Sequence, residues 1–205
     1  MSQEQPVNFV ATAATEERAR ANLYAVLASL LYRGPSAELL ADIAAADDLV
    51  EPAGTPLAQA WSALQVACRV TTSRAARQEY DDIFVGVGQA PVSIYASHYL
   101  SENWKDHTLV SLRGELARLG LARQPDAVEP EDHLAGLLDV MRHLILRAGA
   151  DDVALQEGFF RSYLAPVYKP FWIALGTAKS LGFYRHVGLL LTSFLEIEVE
   201  CFQIA

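Results

Sequence analysis

Glu129-Pro130-Glu131-Asp132-His133-Leu134-Ala135-Gly136-Leu137-Leu138-Asp139-Val140-Met141-Arg142-His143-Leu144-Ile145 places its apolar residues one helical turn apart. Leu134, Leu137, Leu138, Met141, Leu144 and Ile145 follow the spacing that gathers side chains into a single stripe along a helix. Proline suits the first helical position, where its missing amide hydrogen would have had no partner. The helix is therefore predicted to start at Pro130 and to stop at Gly149. Glu129, Glu131 and Asp132 gather around its first turn, where free N–H groups and the positive end of the helix dipole favour anions. Two roles suit these acids: capping the helix, or accepting a cationic group from outside.

The same period runs outward from this stretch. Leu23, Val26, Leu27, Leu30 and Leu31 form an apolar stripe, with Glu16 and Arg20 spaced to pair on the outer face. Gly34-Pro35 ends that helix and Ser36 can cap the next, which carries Leu39, Leu40 and Ile43. Thr55-Pro56 opens a third helix with Trp61, Leu64 and Cys68 buried. After Thr71, Thr72 and Ser73 a helix passes through Glu79, Tyr80, Ile83 and Phe84, and Val85 to Pro91 reads as a loop. Another helix runs from about Asp106 to Leu119, with Leu109, Leu112, Leu116 and Leu119 inside and Gly120 beyond its end. Downstream, Pro166 and Pro170 interrupt an aromatic-rich region, and a last helix starts near Phe183. Nothing alternates long enough to claim a sheet. The expectation is an all-α single domain of about nine to eleven helices. Residues 1–120 and 131–205 would form subregions joined by a hinge near 121–130, around Pro125.

Composition narrows the function. With 52% hydrophobic and 20% charged residues the chain is globular rather than disordered. The net charge of −9 argues against a nucleic-acid partner, which needs a basic face, and favours basic peptides or cations. The first residues, Met1 to Asn22, lack the basic start and apolar core of a secretory signal. Val187 to Leu195 is too short to span a bilayer. Cys68 and Cys201 form no C-x-x-C pair, which suits a reducing compartment.

No local pattern advertises catalysis. Glu-x-x-His pairs are absent, and His98, His107, His133, His143 and His186 form no zinc-ligand cluster. Gly86 and Gly88 make a G-x-G without the strand that a phosphate-binding fingerprint requires, so a turn is the simpler reading. Phe159, Phe160, Tyr163, Tyr168, Phe171 and Trp172 have spacings that favour core over a ligand groove. Glu198 continues the stripe of Val187, Leu190, Leu191, Phe194 and Leu195, either facing a groove or marking where the helix reaches water.

Glu129-Pro130-x-Asp132-His133-Leu134 resembles the E-P-x-D-H hinge motif of the TorD/DmsD/NarJ family of redox-enzyme maturation chaperones. Tyr80-x-x-Ile83-Phe84 resembles that family's Y-x-x-L-F motif, with isoleucine for leucine, and the segment from Gly86 to Tyr99 resembles the stretch between the two. The resemblance implies a cytoplasmic, non-enzymatic chaperone without a resident cofactor. Its partner would be a molybdenum-dependent oxidoreductase subunit, held by its twin-arginine signal peptide or in its apo form. The resemblance also implies a monomer or a domain-swapped homodimer and, in some members, weak guanine-nucleotide binding. The candidate peptide-binding residues are Tyr80, Phe84, Tyr95, Glu129, Glu131, Asp132 and His133. A ligand-sensing or scaffold protein of the same fold is the alternative, and a nucleotide-binding enzyme using the Gly86 to Gly88 loop comes third.

Overall fold

A computed structural model describes residues 9–49, 54–86, 88–100, 105–124, 128–147 and 152–204. Among them the chain forms α1 (Phe9–Arg33), α2 (Ala37–Ala45), α3 (Pro56–Val70), α4 (Ser73–Tyr80), α5 (Lys105–Arg118), α6 (Leu134–Leu146), α7 (Asp152–Tyr163), α8 (Tyr168–Leu175) and α9 (Phe183–Ile204), with no strand. The first eight residues, Val87, Pro125 within the expected hinge and the expected stop at Gly149 lie outside the described residues.

Local chemistry accounts for most helix ends. Ser36, Thr55 and Thr72 each accept a hydrogen bond from the backbone three residues on, at 3.0, 3.3 and 3.2 Å, satisfying an amide that the helix itself cannot. Gly34 turns the chain after α1 with φ +74°. A Cβ there would lie 3.0 Å from Arg77 Cγ, so position 34 needs glycine for both conformation and space.

Two pairings organise the bundle: α1 lies along α6, and α3 lies along α9, which also meets α8, α4 and α1. Tyr24, Leu27, Leu30 and Leu31 of α1 and Leu137, Leu138, Met141 and Leu144 of α6 are buried. α4 runs on through a π-helical turn, Asp81–Val85, that closes with Gly86 N–H donating to the Asp81 carbonyl at 2.7 Å. This widened turn carries Ile83 and Phe84 into the core beside Tyr80, the last residue of α4. There Phe84 stacks on Phe171 and meets Tyr184 edge-on, with centroids 6.0 and 5.3 Å apart. The α1 carbonyls left unpaired at its C-terminal end find side-chain donors instead. Tyr80 donates to the carbonyls of Leu31 and Tyr32 at 3.2 and 2.8 Å, and Tyr184 to that of Leu30 at 2.9 Å. The aromatic stretch is core as its spacing favours: Phe159, Phe160, Tyr163, Tyr168 and Phe171 are buried and Trp172 is half-buried.

Four expectations change. α6 begins at Leu134, not Pro130; residues 130–133 form a turn in which His133 N–H donates to the Pro130 carbonyl at 3.2 Å. Leu109 is half-buried rather than inside, and it lines a cavity. Arg20 does not pair with Glu16 on an outer face: its guanidinium grips Glu198 at 2.6 and 2.7 Å and also reaches Gln156 and Glu17. Glu198 accordingly faces neither groove nor water but is 2% exposed, and it also accepts from Tyr24 Oη at 2.8 Å. Periodicity places a residue on a helix; it does not say which neighbour will meet it.

Candidate functional site

The turn at 129–133 joins α6 to the loop before α5 through backbone first. His133 and Tyr95 form an isolated antiparallel bridge, with Leu134 N–H donating to the Ile94 carbonyl at 3.0 Å and Ala96 N–H to the Asp132 carbonyl at 2.9 Å. The acids then reach away from the helix rather than back onto it. Glu129 accepts from Tyr95 Oη at 2.7 Å, Glu131 takes both prongs of Arg113 at 3.0 Å, and Asp132 Oδ2 accepts from Ser97 N–H at 3.3 Å. The cap of α6 is His133, whose Nδ1 accepts from Ala135 N–H at 3.2 Å. None of the three carboxylates therefore caps α6 by a hydrogen bond; each meets a partner from another part of the chain.

A groove of about 730 Å³ opens on one side of this turn. α1 supplies Ala25, Ala28, Ser29 and Tyr32; α6 supplies Ala135, Gly136, Asp139, Val140, Arg142 and His143; Leu116, residues 121–124 and Glu129, Pro130, Glu131 and His133 complete it. Its depth comes from the small side chains on the facing α1 and α6 turns. On the other side lies a cavity of about 360 Å³ lined by Ser93, Tyr95, Ser97, His98, Leu109, Pro130 and Asp132. The 129–133 turn is thus a wall between two concavities, with Glu129, Glu131 and His133 on the groove side and Asp132 on the other.

Burial sets the electrostatics of the wall. Asp132 and His133 are 2% and 3% exposed. Burial holds the His133 imidazole below its ordinary value, against the pull of Glu129 and Asp132, and Arg33 adds to the lowering. A neutral ring is also the form that can accept from Ala135 at Nδ1. Tyr95 is pushed up to about 12, by burial and then by its hydrogen bond to Glu129, so it stays a donor. Arg113 holds the Glu131 carboxyl below the usual range. The rings of Tyr95 and Tyr32 meet His133 edge-on at 5.5 and 5.9 Å, joining the loop, the wall and α1.

Of the seven residues singled out in the sequence, Glu129, Glu131 and His133 line the groove, and Tyr95 and Asp132 line the smaller cavity. Tyr80 and Phe84 line neither; both sit in the core, where Tyr80 holds the end of α1 and Phe84 packs against Tyr80. Sequence reading missed the α1 face. Its signal was the run of small residues Ala25, Ala28 and Ser29 on the turn before Tyr32, beside the apolar stripe. It also missed Glu79, which accepts from Gly182, Phe183 and Tyr184 N–H at 2.8, 2.9 and 2.8 Å and so caps α9 from another helix. Gly86, at φ +65°, is explained by its turn: a Cβ there would lie 2.7 Å from the Gln89 carbonyl. Among the described residues no cluster of His, Cys, Asp and Glu could hold a metal ion, and no helix is long and apolar enough to cross a membrane.

Comparison with known proteins brings in the lineage. The family model described as nitrate reductase delta subunit matches residues 51–172, which include both the Tyr80 and the Glu129 motifs. Chaperone protein TorD of Aeromonas salmonicida (strain A449) is 29% identical over 206 aligned positions, covering 91% of this chain and 92% of the relative. Chaperone protein TorD of Vibrio atlanticus (strain LGP32) is 24% identical over 164 positions, covering 75% of each. Chaperone protein TorD of Pasteurella multocida (strain Pm70) is 29% identical over 123 positions, covering 60% of this chain and 61% of the relative. With more than half of its length matched, the chain belongs to the nitrate reductase delta subunit family, the family of the TorD redox-enzyme maturation chaperones.

Proposed function

We propose that this chain is a cytoplasmic chaperone for a molybdenum-dependent oxidoreductase. It holds the client's twin-arginine signal peptide, its apo form or both until the cofactor is inserted, and it delays export. The observation that carries this reading is the groove between α1 and α6, where small apolar side chains lie beside Glu129 on a chain of net charge −9. A signal peptide offers the complement, basic residues followed by a short apolar segment. Charge brings such a peptide to the surface, yet exposed ion pairs contribute only about 0.2–1 kcal/mol each and are screened by salt. Selection comes from burying the apolar segment, at roughly 25 cal/mol per Å² removed from water, while the basic residues set its register. Glu129, Glu131 and His133 make contact in the groove and Tyr95 and Asp132 from behind the wall, with Tyr80 and Phe84 keeping the α1 side in place.

A synthetic peptide with paired arginines and an apolar stretch tests the reading. It is expected to bind, a scrambled peptide of equal composition to bind poorly, and added salt to weaken binding without abolishing it. Replacing the apolar stretch by serine does more damage than replacing one arginine by lysine. Equal binding of native and scrambled peptides would reduce the interaction to attraction by an acidic surface and remove the signal-peptide role. A pull-down from the native cell then identifies the client, expected to be a large oxidoreductase lacking its cofactor.

A further inference from the structure

Two carboxylates of the wall each have one oxygen held by the protein and one without a partner among the described residues, and they line different concavities. Glu129 Oε2 is held by Tyr95, and its other oxygen has no hydrogen-bond donor among the described residues. Asp132 Oδ2 is held by Ser97 N–H, while Oδ1 is buried without a partner. Neither carboxylate belongs to an ion pair among the described residues, whereas nearby Glu131 and Asp139 are matched by Arg113 and Arg142. Buried acceptors are almost always satisfied in folded proteins, so an unpartnered oxygen on a residue that lines a cavity is a place for a water or for a donor from outside. Glu129 opens on the groove, Asp132 on the smaller cavity, and Pro130 borders both.

We infer that the 129–133 wall is a two-sided clamp for two adjacent cationic side chains of one extended peptide, one on Glu129 in the groove and the other on Asp132 in the smaller cavity. The inference rests on the peptide-chaperone reading and adds the geometry of recognition. An extended chain sends successive side chains to opposite faces. Neighbouring basic residues therefore straddle the wall with the peptide backbone crossing over Pro130, whereas basic residues two apart fall on the same side and leave one carboxylate unmet. Each carboxylate has a single unpartnered oxygen, so each takes one charge-assisted hydrogen bond rather than a two-pronged fork. Lysine thus replaces arginine at modest loss at either position, and an uncharged isostere does not. The Asp132 oxygen lies beneath the cavity surface, and the long 3.3 Å bond from Ser97 is the contact that yields as the cation arrives. A long side chain reaches it; a short one does not.

The test is mostly on the peptide, so protein folding does not confound it. Affinity is measured by calorimetry for a peptide with adjacent arginines ahead of an apolar stretch, for the same peptide with one glycine inserted between them, and for versions with citrulline at either arginine. Insertion and each citrulline are expected to lower affinity roughly tenfold, the loss of one charge-assisted contact. Glu129→Gln and Asp132→Asn proteins, checked for folding, should each become insensitive to citrulline at one position, and the two at different positions. Equal affinity for adjacent and spaced arginines, or both citrulline losses tracing to one carboxylate, would overturn the clamp and leave the groove reading intact. Failure of every peptide to bind would overturn both.

Discussion

Replacing Arg20 by methionine isolates one buried charge and so measures how α1 is held against α9. In the native chain the guanidinium gives Glu198 two short hydrogen bonds, at 2.6 and 2.7 Å, reaches Gln156 at 2.8 Å and lies over the Phe202 ring at 5.4 Å. Methionine retains much of the apolar packing and removes the charge, leaving Glu198 with only the Tyr24 hydroxyl at a site 2% exposed. Breaking a buried pair from one side costs about 3–5 kcal/mol, because the remaining charge is neither hydrated nor matched. Urea unfolding at pH 7.5 should lose that amount with an unchanged slope. The double variant Arg20→Met, Glu198→Leu removes the stranded charge and should recover most of the loss, since a packed apolar pair is often as stable as a buried ion pair. A loss under 1 kcal/mol, or a double variant as weak as the single one, would refute the account and make the pair ordinary surface packing.

Three further outcomes follow from contacts of the same kind. Glu79→Ala strips three N–H groups at the start of α9 of their acceptor and should cost about 2–3 kcal/mol in thermal or urea unfolding; Glu79→Gln, with one acceptor oxygen left, should cost roughly half as much. Gly188→Ala would normally favour a helix, but its Cβ would lie 2.6 Å from Leu175 Cδ2 and 2.8 Å from the Trp172 ring. It should therefore destabilise by about 1–3 kcal/mol and shift the tryptophan emission. His133, held low by burial, takes up its proton less readily in the folded chain than in the unfolded one. Its contribution to stability is present above about pH 6.5 and is lost as pH falls below it. His133→Asn, which can still cap α6, should flatten that slope when unfolding is compared at pH 7.5 and pH 5.5.

The helices and much of the core were legible in the chain alone because both depend on near neighbours. Leu134 to Ile145 and Leu23 to Leu31 repeat with the helix itself, and Ser36, Thr55 and Thr72 cap amides only three residues away. Those are short-range facts, and any fold that buries the stripes must respect them. The 129–133 segment escaped this logic. Proline and three acids are a sound helix start by local chemistry, yet the backbone of Asp132 and Leu134 is claimed by Ala96 and Ile94 from a distant loop, and the helix begins only after them. With that bridge in place Glu129 lines the groove and Asp132 the smaller cavity. Glu198 and Glu79 teach the same lesson, since their partners lie 178 and more than 100 residues away. Sequence determined which residues form helices and which faces are apolar, because periodicity is a property of a single segment. Only the tertiary structure decided which carboxylates are matched and which stay open, because a charge is satisfied by whatever stands beside it in space.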